Sequence, residues 1–589
     1  MKSLYLIFIF LLATINFSNG QQVVQVNLND SVTLSVAETY RGELHWQSSF
    51  DQTSWESIEN AQNPTYKGKV SQLPVYFRAQ ITEENCPPVY SETIEIIQIA
   101  QNLWSDVATW GDVGKPVAGQ EVIIPEGVTI VLDENTPALG GLDIKGSLIF
   151  MDKDLELTSE WILVEGLLQV GSESSPFENK AVINLTDTDT EVSISNMGTR
   201  GIMVMGGTLR LIAKSTNTIW TKINDHAEKD SQNLILEENV DWLTGDEIVI
   251  APTDYYTAGN GISISQKTSI VNIDGTNLTI SDPLNAFRWG RLQYATTEGM
   301  SLTPDNLITP PQEDTETKVT PLVLDERAEI GHLTRNIVIQ APDDDVWNSI
   351  GFGVHIMIMG PESKAFIDGV EIKRGGQRNR LRRYPFHWHM LSYSGSQTLN
   401  DADGQYFKNS VVNSSKNRGI VIHGTNGVLV QNNIVYDVQG HGIFTEDAVE
   451  RRNIIDHNLV LHIRNPPFGA ALKQHESGER GASGFWISNP DNTITNNVAA
   501  DCGTNGYWLA FTTRPWGESS SVLAEDGLLL NPSRLLFGIF DNNTAHSNGL
   551  EGIMLDRVEI DEEGNTFDHQ YFPTTNGRDP FWPFTTSRR

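Results

Sequence analysis

The sequence contains little cysteine and few basic residues. Its 589 residues include two cysteines, Cys86 and Cys502, which fall in segments that we assign to different domains, so no structural disulfide is expected. Two thiols also exclude a thiolate zinc site. Lys and Arg number 41 against 75 Asp and Glu, which makes the net charge −34. This balance argues against nucleic acid as a partner, because binding to phosphates draws most of its affinity from basic side chains.

Long apolar runs are scarce as well. One such run, residues 4–15, follows Lys2 and precedes small residues that end at Gly20, which is the order of a secretory signal peptide. The run is shorter than the roughly 20 residues that cross a bilayer, and no other segment comes close. We therefore predict a signal peptide over residues 1–20, no transmembrane segment in the mature chain, and a secreted or extracellular surface location.

Short alternating runs of apolar and polar residues predict β-strands, and helix-like periodicity is confined to short stretches. Residues 21–98 are predicted to form a small β-sandwich. Residues 101–230 carry glycine-punctuated strands that suit a β-roll capping or extending one end of a solenoid. Residues 231–345 are predicted to be a β-rich bridge without a site, and residues 346–589 a right-handed parallel β-helix. The predicted fold class is thus all-β, with the β-helix preceded by the β-roll and the β-sandwich.

The solenoid prediction rests on short β-runs that recur after residue 350. They align at intervals that are mostly near 22 or 42 residues, the length of one coil or of one coil plus an insertion. Asparagine-rich turns follow them, and asparagine tolerates the left-handed backbone that repeated corners require. The aligned runs are 386–389, 420–423, 443–446, 485–488 and 507–510. Because a strand points successive side chains to opposite faces, the first and third residues of each run should form the core.

The second and fourth residues of each run are then expected to face solvent in two columns. Phe444, Trp486 and Trp508 form an aromatic strip that suits the apolar faces of sugars, unless an insertion, residues 460–480 or 511–545, covers the rings. The other column places His389, His423 and Glu446 on successive coils. Those three could share a proton or hold one divalent metal ion, either calcium or a transition metal. A polysaccharide site built from these columns requires that they face solvent, where a sugar chain can lie across successive coils.

Further charged residues flank these columns. A basic patch over residues 373–383 is predicted to guide an anionic ligand, and Arg451 follows the turn after the third run. The predicted catalytic residues are His387, His389, His423, His441, Glu446 and Asp447. The predicted substrate-binding residues are Arg382, Arg383, Phe444, Arg451, Trp486 and Trp508.

Three motifs carry a resemblance to a known family. Residues 384–389 (Tyr-Pro-Phe-His-Trp-His), 440–447 (Gly-His-Gly-Ile-Phe-Thr-Glu-Asp) and 484–492 resemble the cell surface hyaluronidases of the cell-migration-inducing type. Residues 102–230 resemble the G8 domain, which precedes the parallel β-helix in that family and in fibrocystin-like receptors. The sandwich segment resembles the immunoglobulin-like modules of exported bacterial surface proteins.

The resemblance implies endolytic cleavage of hyaluronan or a related uronic-acid polymer. A hydrolase would use Glu446 or Asp447 as acid, base or nucleophile, with a histidine as proton carrier. A lyase would instead neutralise the uronate carboxylate with Arg382, Arg383 or a metal ion, and would use a histidine as base. The competing class is a non-catalytic carbohydrate-binding or adhesion protein of the fibrocystin-like type, which would hold an acidic polysaccharide without cutting it.

Overall fold

The computed structural model divides the chain into two compact units, Met1–Gln101 and Asn102–Arg589. It describes residues 11–15, 22–26, 31–36, 40–83, 86–91, 93–98, 102–195, 197–214, 216–254, 265–295, 322–477, 480–555, 558–561, 565–568, 570–575 and 577. None of the helices in these ranges is long and apolar enough to cross a membrane.

The described part of the first unit contains two β-sheets. Apolar side chains of both, among them Leu34 from one sheet and Trp46 and Phe77 from the other, form one buried cluster, as the predicted β-sandwich requires. One sheet consists of Leu11–Ile15, Ser31–Val36 and Thr65–Lys69. The other consists of Gln22–Val26, Glu43–Ser49, Glu56–Ser57, Val75–Thr82, Val89–Tyr90 and Ile94–Gln98.

The segment predicted to be a signal peptide is partly described. Its residues Leu11–Ile15 form a strand that pairs in parallel with Ser31–Val36, whereas residues 1–10 and 16–20 lie outside the described residues. We predicted that this segment lies outside the fold, and at residues 11–15 that prediction is wrong. The signal peptide itself stays a prediction.

Three long parallel sheets run through the described part of the second unit and form a parallel β-helix, as predicted. The site sheet, which carries the aligned runs, consists of Glu121–Ile124, Gly141–Ile144, Ile162–Val164, Gly201–Met205, His355–Met359, Phe386–His389, Ile420–His423, Ile443–Thr445, Phe485–Ile487, Tyr507–Leu509 and Ile553–Leu555. The second sheet consists of Asn102–Leu103, Thr129–Leu132, Ser147–Phe150, Leu167–Val170, Thr208–Ile212, Lys364–Asp368, Tyr406–Lys408, Leu429–Gln431, Ile454–Asp456, Thr493–Thr495 and Ile539–Asp541. The third consists of Leu155–Ser159, Ala181–Leu185, Ile337–Gln340, Val370–Gly375, Val411–Ser415, Ile434–Gln439, Leu459–Arg464, Val498–Ala500 and Thr544–His546.

The β-helix begins earlier than predicted. Gly201–Met205 pairs directly with His355–Met359, so the strands of residues 102–212 extend the solenoid as its first coils and do not cap it. The predicted bridge lies mainly in an antiparallel sheet that is inserted between two coils. That sheet consists of Trp220–Lys222, Asn233–Ile235, Glu247–Ile250, Gln266–Asp274, Asn277–Ile280 and Glu329–His332.

The remaining elements are short. Two-stranded pairs join Gln293–Ala295 to Leu322–Leu324, Tyr393–Ser394 to Gln397–Thr398, and Val558–Ile560 to Thr566–Asp568. Helical turns occur at Val107–Trp110, Gly111–Val113, Val346–Ile350, Gln474–Glu476, Gly517–Ser519 and Pro532–Arg534.

The predicted register of the aligned runs is confirmed. Phe386 pairs with Ile420, Ile420 with Ile443, and the alignment continues through Phe485 and Tyr507. Each run follows a turn, and the last four begin one residue after a glycine. A Cβ atom at one of these, Gly442, would lie 2.6 Å from the carbonyl oxygen of Gly484 on the next coil. The close stacking of the coils therefore requires glycine there.

The predicted asparagine corners are confirmed as well. Asn432, Asn496 and Asn542 have positive φ angles, the conformation that asparagine tolerates better than most residues. The neighbouring Asn458 donates a hydrogen bond to Asn497 on the next coil at 2.9 Å. The corners are thus joined from coil to coil by side-chain amides.

One corner carries a charge that makes stability depend on pH. The buried carboxylate of Asp501 lies 3.0 Å from His462 Nδ1 and accepts a hydrogen bond from Arg464 at 2.7 Å. Burial raises the pKa of Asp501, but the hydrogen bond with His462 and the charge of Arg464 lower it to about 2.

A pKa below that of the unfolded chain, about 3.9, means that the ionised form stabilises the fold above pH 4. We expect Asp501→Asn to lower the free energy of unfolding by about 2 kcal/mol at pH 7. This difference should shrink as the pH falls from 4 towards 2. Urea unfolding at stepped pH measures it, and a difference that stays constant with pH would contradict the assignment.

Candidate functional site

The outward columns of the site sheet are buried. His387 is fully buried, and Glu446, the most exposed of the predicted histidine and carboxylate column, has 8% relative exposure. The prediction that these side chains face solvent is therefore wrong. They point away from the solenoid core, but the insertions that follow Arg464 and Leu509 cover them.

The aromatic strip lies inside a second apolar core under these insertions. Phe444 and Trp486 stack with ring centroids 6.0 Å apart, and Trp508 meets Trp486 edge-on at 4.7 Å. Leu472 and Trp516 of the two insertions pack against this cluster. The expectation that these three rings bind sugars is thus not supported by their position, because all three are buried in this apolar core.

Two imidazoles and one carboxylate converge beside these rings. His387 Nε2 lies 3.9 Å and His423 Nδ1 3.7 Å from the same oxygen, Glu446 Oε2. The two imidazole rings are parallel, with centroids 5.7 Å apart. None of these three atoms makes a hydrogen bond within the described part of the chain. We call His387, His423 and Glu446 the central triad.

Neighbouring side chains fix two members of the triad, Glu446 and His423, by hydrogen bonds. Arg418 Nη1 donates to Glu446 Oε1 at 2.9 Å, and the hydroxyl of Tyr384 donates to the same oxygen at 3.3 Å. His423 Nε2 lies 2.7 Å from Asp447 Oδ2. The opposite ends of Glu446 and His423 are therefore fixed, and Oε2 and Nδ1 remain directed at each other.

The arrangement moves the proton affinities of the histidines in opposite directions. Burial lowers the pKa of His423, but the charges of Asp447 and Glu446 raise it to about 9. Burial lowers the pKa of His389 to about 3, helped by the charge of His423, and that of His387 well below its usual range. Burial beside Asp447 raises the pKa of Glu450 to about 7.

A strap of residues 516–519 closes the outer side of this group. The backbone N–H of Ser519 donates to Asp447 Oδ2 at 3.1 Å. Glu518 forms an ion pair with Arg382, and its Oε2 lies 3.7 Å from His389 Nε2. The side chains of Glu518 and Arg382 are both more than 40% exposed. An ion pair at the surface therefore stands between solvent and His389.

Glycine is required where the strap crosses Asp447. Gly517 and Gly527 belong to the same insertion and both have positive φ angles. A Cβ atom at Gly517 would lie 2.5 Å from Asp447 Oδ1, while one at Gly527 would meet nothing within 4 Å. We expect Gly517→Ala to lower the free energy of unfolding by about 1–3 kcal/mol more than Gly527→Ala. Equal losses in urea unfolding would show that the strap does not rest on Asp447.

Several predicted residues lie away from the triad. His441 bonds instead to Ser483 at 2.9 Å and to His475 at 3.1 Å, inside the aromatic cluster. Arg451 pairs with Asp491 at 2.7 Å. The prediction that these two residues belong to one site with Glu446 is not supported by these contacts.

The basic patch is also mostly engaged within the protein. Lys373 pairs with Glu371 and Glu247, and Arg374 donates to Gln340. Arg383 is half-buried, and burial lowers its pKa to about 10. Of the predicted patch, Arg382 is the residue that reaches the cover of the triad.

Residues that sequence reasoning did not assign to the site hold it together. Arg418, Tyr384 and Glu476 form a buried network, in which Arg418 also donates to the Glu476 carboxylate. Tyr384 and Arg418 each stand two residues before the first residue of an aligned run. Extending the register upstream would have brought them together, whereas Glu476 lies in an insertion without a repeat.

Family models match the two halves of the β-helix. The model described as CEMIP beta-helix matches residues 351–553, the G8 domain model matches residues 109–224, and a domain of unknown function matches residues 16–100. The chain belongs to the family that joins a G8 domain to a CEMIP-type β-helix, as its motifs predicted.

Two human relatives are similar to this chain, and the name of one of them states an enzymatic activity. Fibrocystin-L is 32% identical over 491 residues, which cover 77% of this chain and 10% of that protein. Cell surface hyaluronidase CEMIP2 is 31% identical over 362 residues, which cover 54% of this chain and 26% of that protein. This chain thus spans about a tenth of the length of the first relative and about a quarter of the second.

Among solved structures, the tailspike gp61 of Pseudomonas phage phi297 is similar at 8% identity and a TM-score of 0.17, covering 70% of this chain and 66% of that one. A TM-score this low does not establish a common overall structure.

Proposed function

We propose that this protein is an exported enzyme that cleaves hyaluronan or a related uronic-acid polymer endolytically at the central triad. One observation supports this most directly: in the described part of the chain, buried imidazole and carboxylate atoms lie together without hydrogen bonds, and Glu446 and His423 are each held on the other side by a fixed partner. Buried polar atoms are nearly always bonded, and exceptions concentrate at functional sites. The similarity to a cell surface hyaluronidase supports the choice of polymer.

The residues around the triad suit an acidic polysaccharide. Glu446 presents one free carboxylate oxygen, the group that glycoside cleavage needs as acid, base or nucleophile. Arg382, at the cover, supplies a guanidinium that can pair with a uronate carboxylate in place of Glu518. Substrate binding would then exchange one ion pair for another at the same arginine.

Access to the triad requires the strap to move. The Arg382–Glu518 ion pair is solvent-exposed, and exposed pairs contribute about 0–1 kcal/mol. A polyanion can therefore compete for Arg382 at small cost, and loss of the pair frees Glu518 from His389. The strap thus links recognition of the polymer to exposure of the buried group.

A second candidate function is non-catalytic glycan binding of the fibrocystin-like type. It is favoured by a polar cleft of about 660 Å³ between the inserted antiparallel sheet and the corners of the solenoid. Its lining includes Trp220, Lys222, Arg327, Gln431, Asn432 and His457. The ring of Trp220 stacks on that of His457 at 4.3 Å. An indole beside amides and cations is a common arrangement for holding sugars.

Incubation of the full chain with size-defined hyaluronan separates the two functions. We expect electrophoresis to show products of intermediate length, since an endolytic enzyme cuts within the chain. New ultraviolet absorbance would assign a lyase, and new reducing ends without it a hydrolase. Intact hyaluronan that nevertheless binds, with binding weakened at least tenfold by Trp220→Ala, would replace the proposal with the second candidate.

A further inference from the structure

We infer that the central triad is a binding site for one divalent transition-metal ion of the zinc class. This goes beyond the proposed function and does not depend on it, because a non-catalytic protein could hold the same ion. The three side chains each offer one ligand atom, and these atoms all lie within 4.8 Å of one another.

The donor atoms lie close together, each pair within 4.8 Å, but farther apart than the ligands of a small tetrahedral ion. An ion with bonds of about 2.0–2.1 Å keeps tetrahedral ligands roughly 3.3–3.4 Å apart. The two nitrogen–oxygen distances, 3.9 Å from His387 and 3.7 Å from His423 to Glu446 Oε2, exceed this by a few tenths of an ångström. Rotation of the side chains by small angles closes that difference.

The burial of the three atoms favours an ion over a set of hydrogen bonds. His387 and His423 are at least nine-tenths buried, and His387 Nε2, His423 Nδ1 and Glu446 Oε2 make no hydrogen bond in the described residues. Leaving such atoms unpaired is costly. A cation bound by all three would satisfy them at once.

The outer contacts match those that orient metal ligands. A histidine that binds a metal usually donates a hydrogen bond from its other ring nitrogen, often to a carboxylate. His423 Nε2 lies 2.7 Å from Asp447 Oδ2. Ligating carboxylates are usually hydrogen-bonded as well, and Arg418 and Tyr384 hold the second oxygen of Glu446.

The donor set distinguishes between the metals that the sequence left open. Calcium takes six to eight oxygen ligands, whereas two imidazole nitrogens and one carboxylate suit zinc and related ions. His387 takes the place predicted for His389, whose ring lies beside the triad at 4.8 Å from the ring of His423. The predicted set of His389, His423 and Glu446 is thus corrected in one member.

Metal analysis of the purified full chain tests this inference. After removal of bound metal with a chelator, we expect calorimetric titration with Zn²⁺ to show one ion per chain. Co²⁺ in the same site should give the intense visible absorption of a four-coordinate ion. His387→Ala and His423→Ala should abolish this stoichiometric binding, while His45→Ala, a half-buried histidine of the first unit, should leave it intact.

A milder variant guards against misfolding of the alanine variants. Asp447→Asn keeps all three ligands and should weaken Zn²⁺ binding by about 10–100-fold. Absence of saturable Zn²⁺ binding to the wild-type chain, or undiminished binding in all three variants, would overturn the inference. One bound ion without any hyaluronan cleavage would support the metal site while refuting the proposed enzyme, so the two outcomes are distinguishable.

Discussion

Replacement of Arg418 by methionine should destabilise the protein by about 3–5 kcal/mol. Its side chain is 1% exposed and donates to Glu446 at 2.9 Å and to the carboxylate of Glu476. It also lies 4.0 Å from the centre of the Phe444 ring. Removing the guanidinium takes away a buried partner of both carboxylates, and we expect this loss to exceed the loss of packing.

The matched control is Arg380→Met. Arg380 pairs with the largely exposed Glu191 at 3.1 Å, and such surface pairs contribute about 0–1 kcal/mol. Urea unfolding followed by fluorescence gives both free energies. Similar small losses in the two variants would mean that the Arg418 network is open to solvent, contrary to the geometry described above.

Trp486→Ala should also cost about 3–5 kcal/mol, the usual loss for a buried indole. The ring is fully buried, lies 4.2 Å from the ring of His475 and 4.7 Å from that of Trp508. Its loss would leave a cavity between the solenoid face and the insertion that carries His475.

Phe468→Ala provides the comparison, because Phe468 is fully exposed in the same insertion and its loss should change stability by less than about 0.5 kcal/mol. Thermal or urea unfolding of both variants measures the difference. If Trp486→Ala instead kept full stability and weakened hyaluronan binding, the aromatic column would have to be a sugar-binding strip after all.

The coil register could be predicted because it repeats. A β-strand alternates its faces, so the apolar positions of five runs and their asparagine corners predicted which residues pair between coils. The same alignment placed His387, His423 and Glu446 together on one face, which the structure confirms. Local pattern and backbone geometry were sufficient for this part of the site.

Burial of that face could not be predicted in the same way. The covering residues, including Leu472, Glu476 and Trp516, belong to insertions that have no repeat. Their position depends on packing between residues far apart in the sequence, which the spacing of a sequence repeat does not predict. Arg418 and Tyr384 could have been found from the sequence. Each stands two residues before the first residue of an aligned run, so extending the alignment upstream by two residues would have placed them side by side.

Cleavage of size-defined hyaluronan by Glu446→Gln, compared with the wild-type chain, tests the central claim most directly. The substitution removes the Glu446 carboxylate both as an acid–base group, which contributes roughly 10²–10⁴-fold, and as one of the three ligands of a bound ion, so we expect the initial rate of shortening to fall at least a hundredfold. Glu362→Gln, in an exposed turn of the solenoid, should cleave at the wild-type rate. A folded Glu446→Gln variant that shortens hyaluronan as fast as the wild-type chain would contradict the assignment of the triad as the site of cleavage.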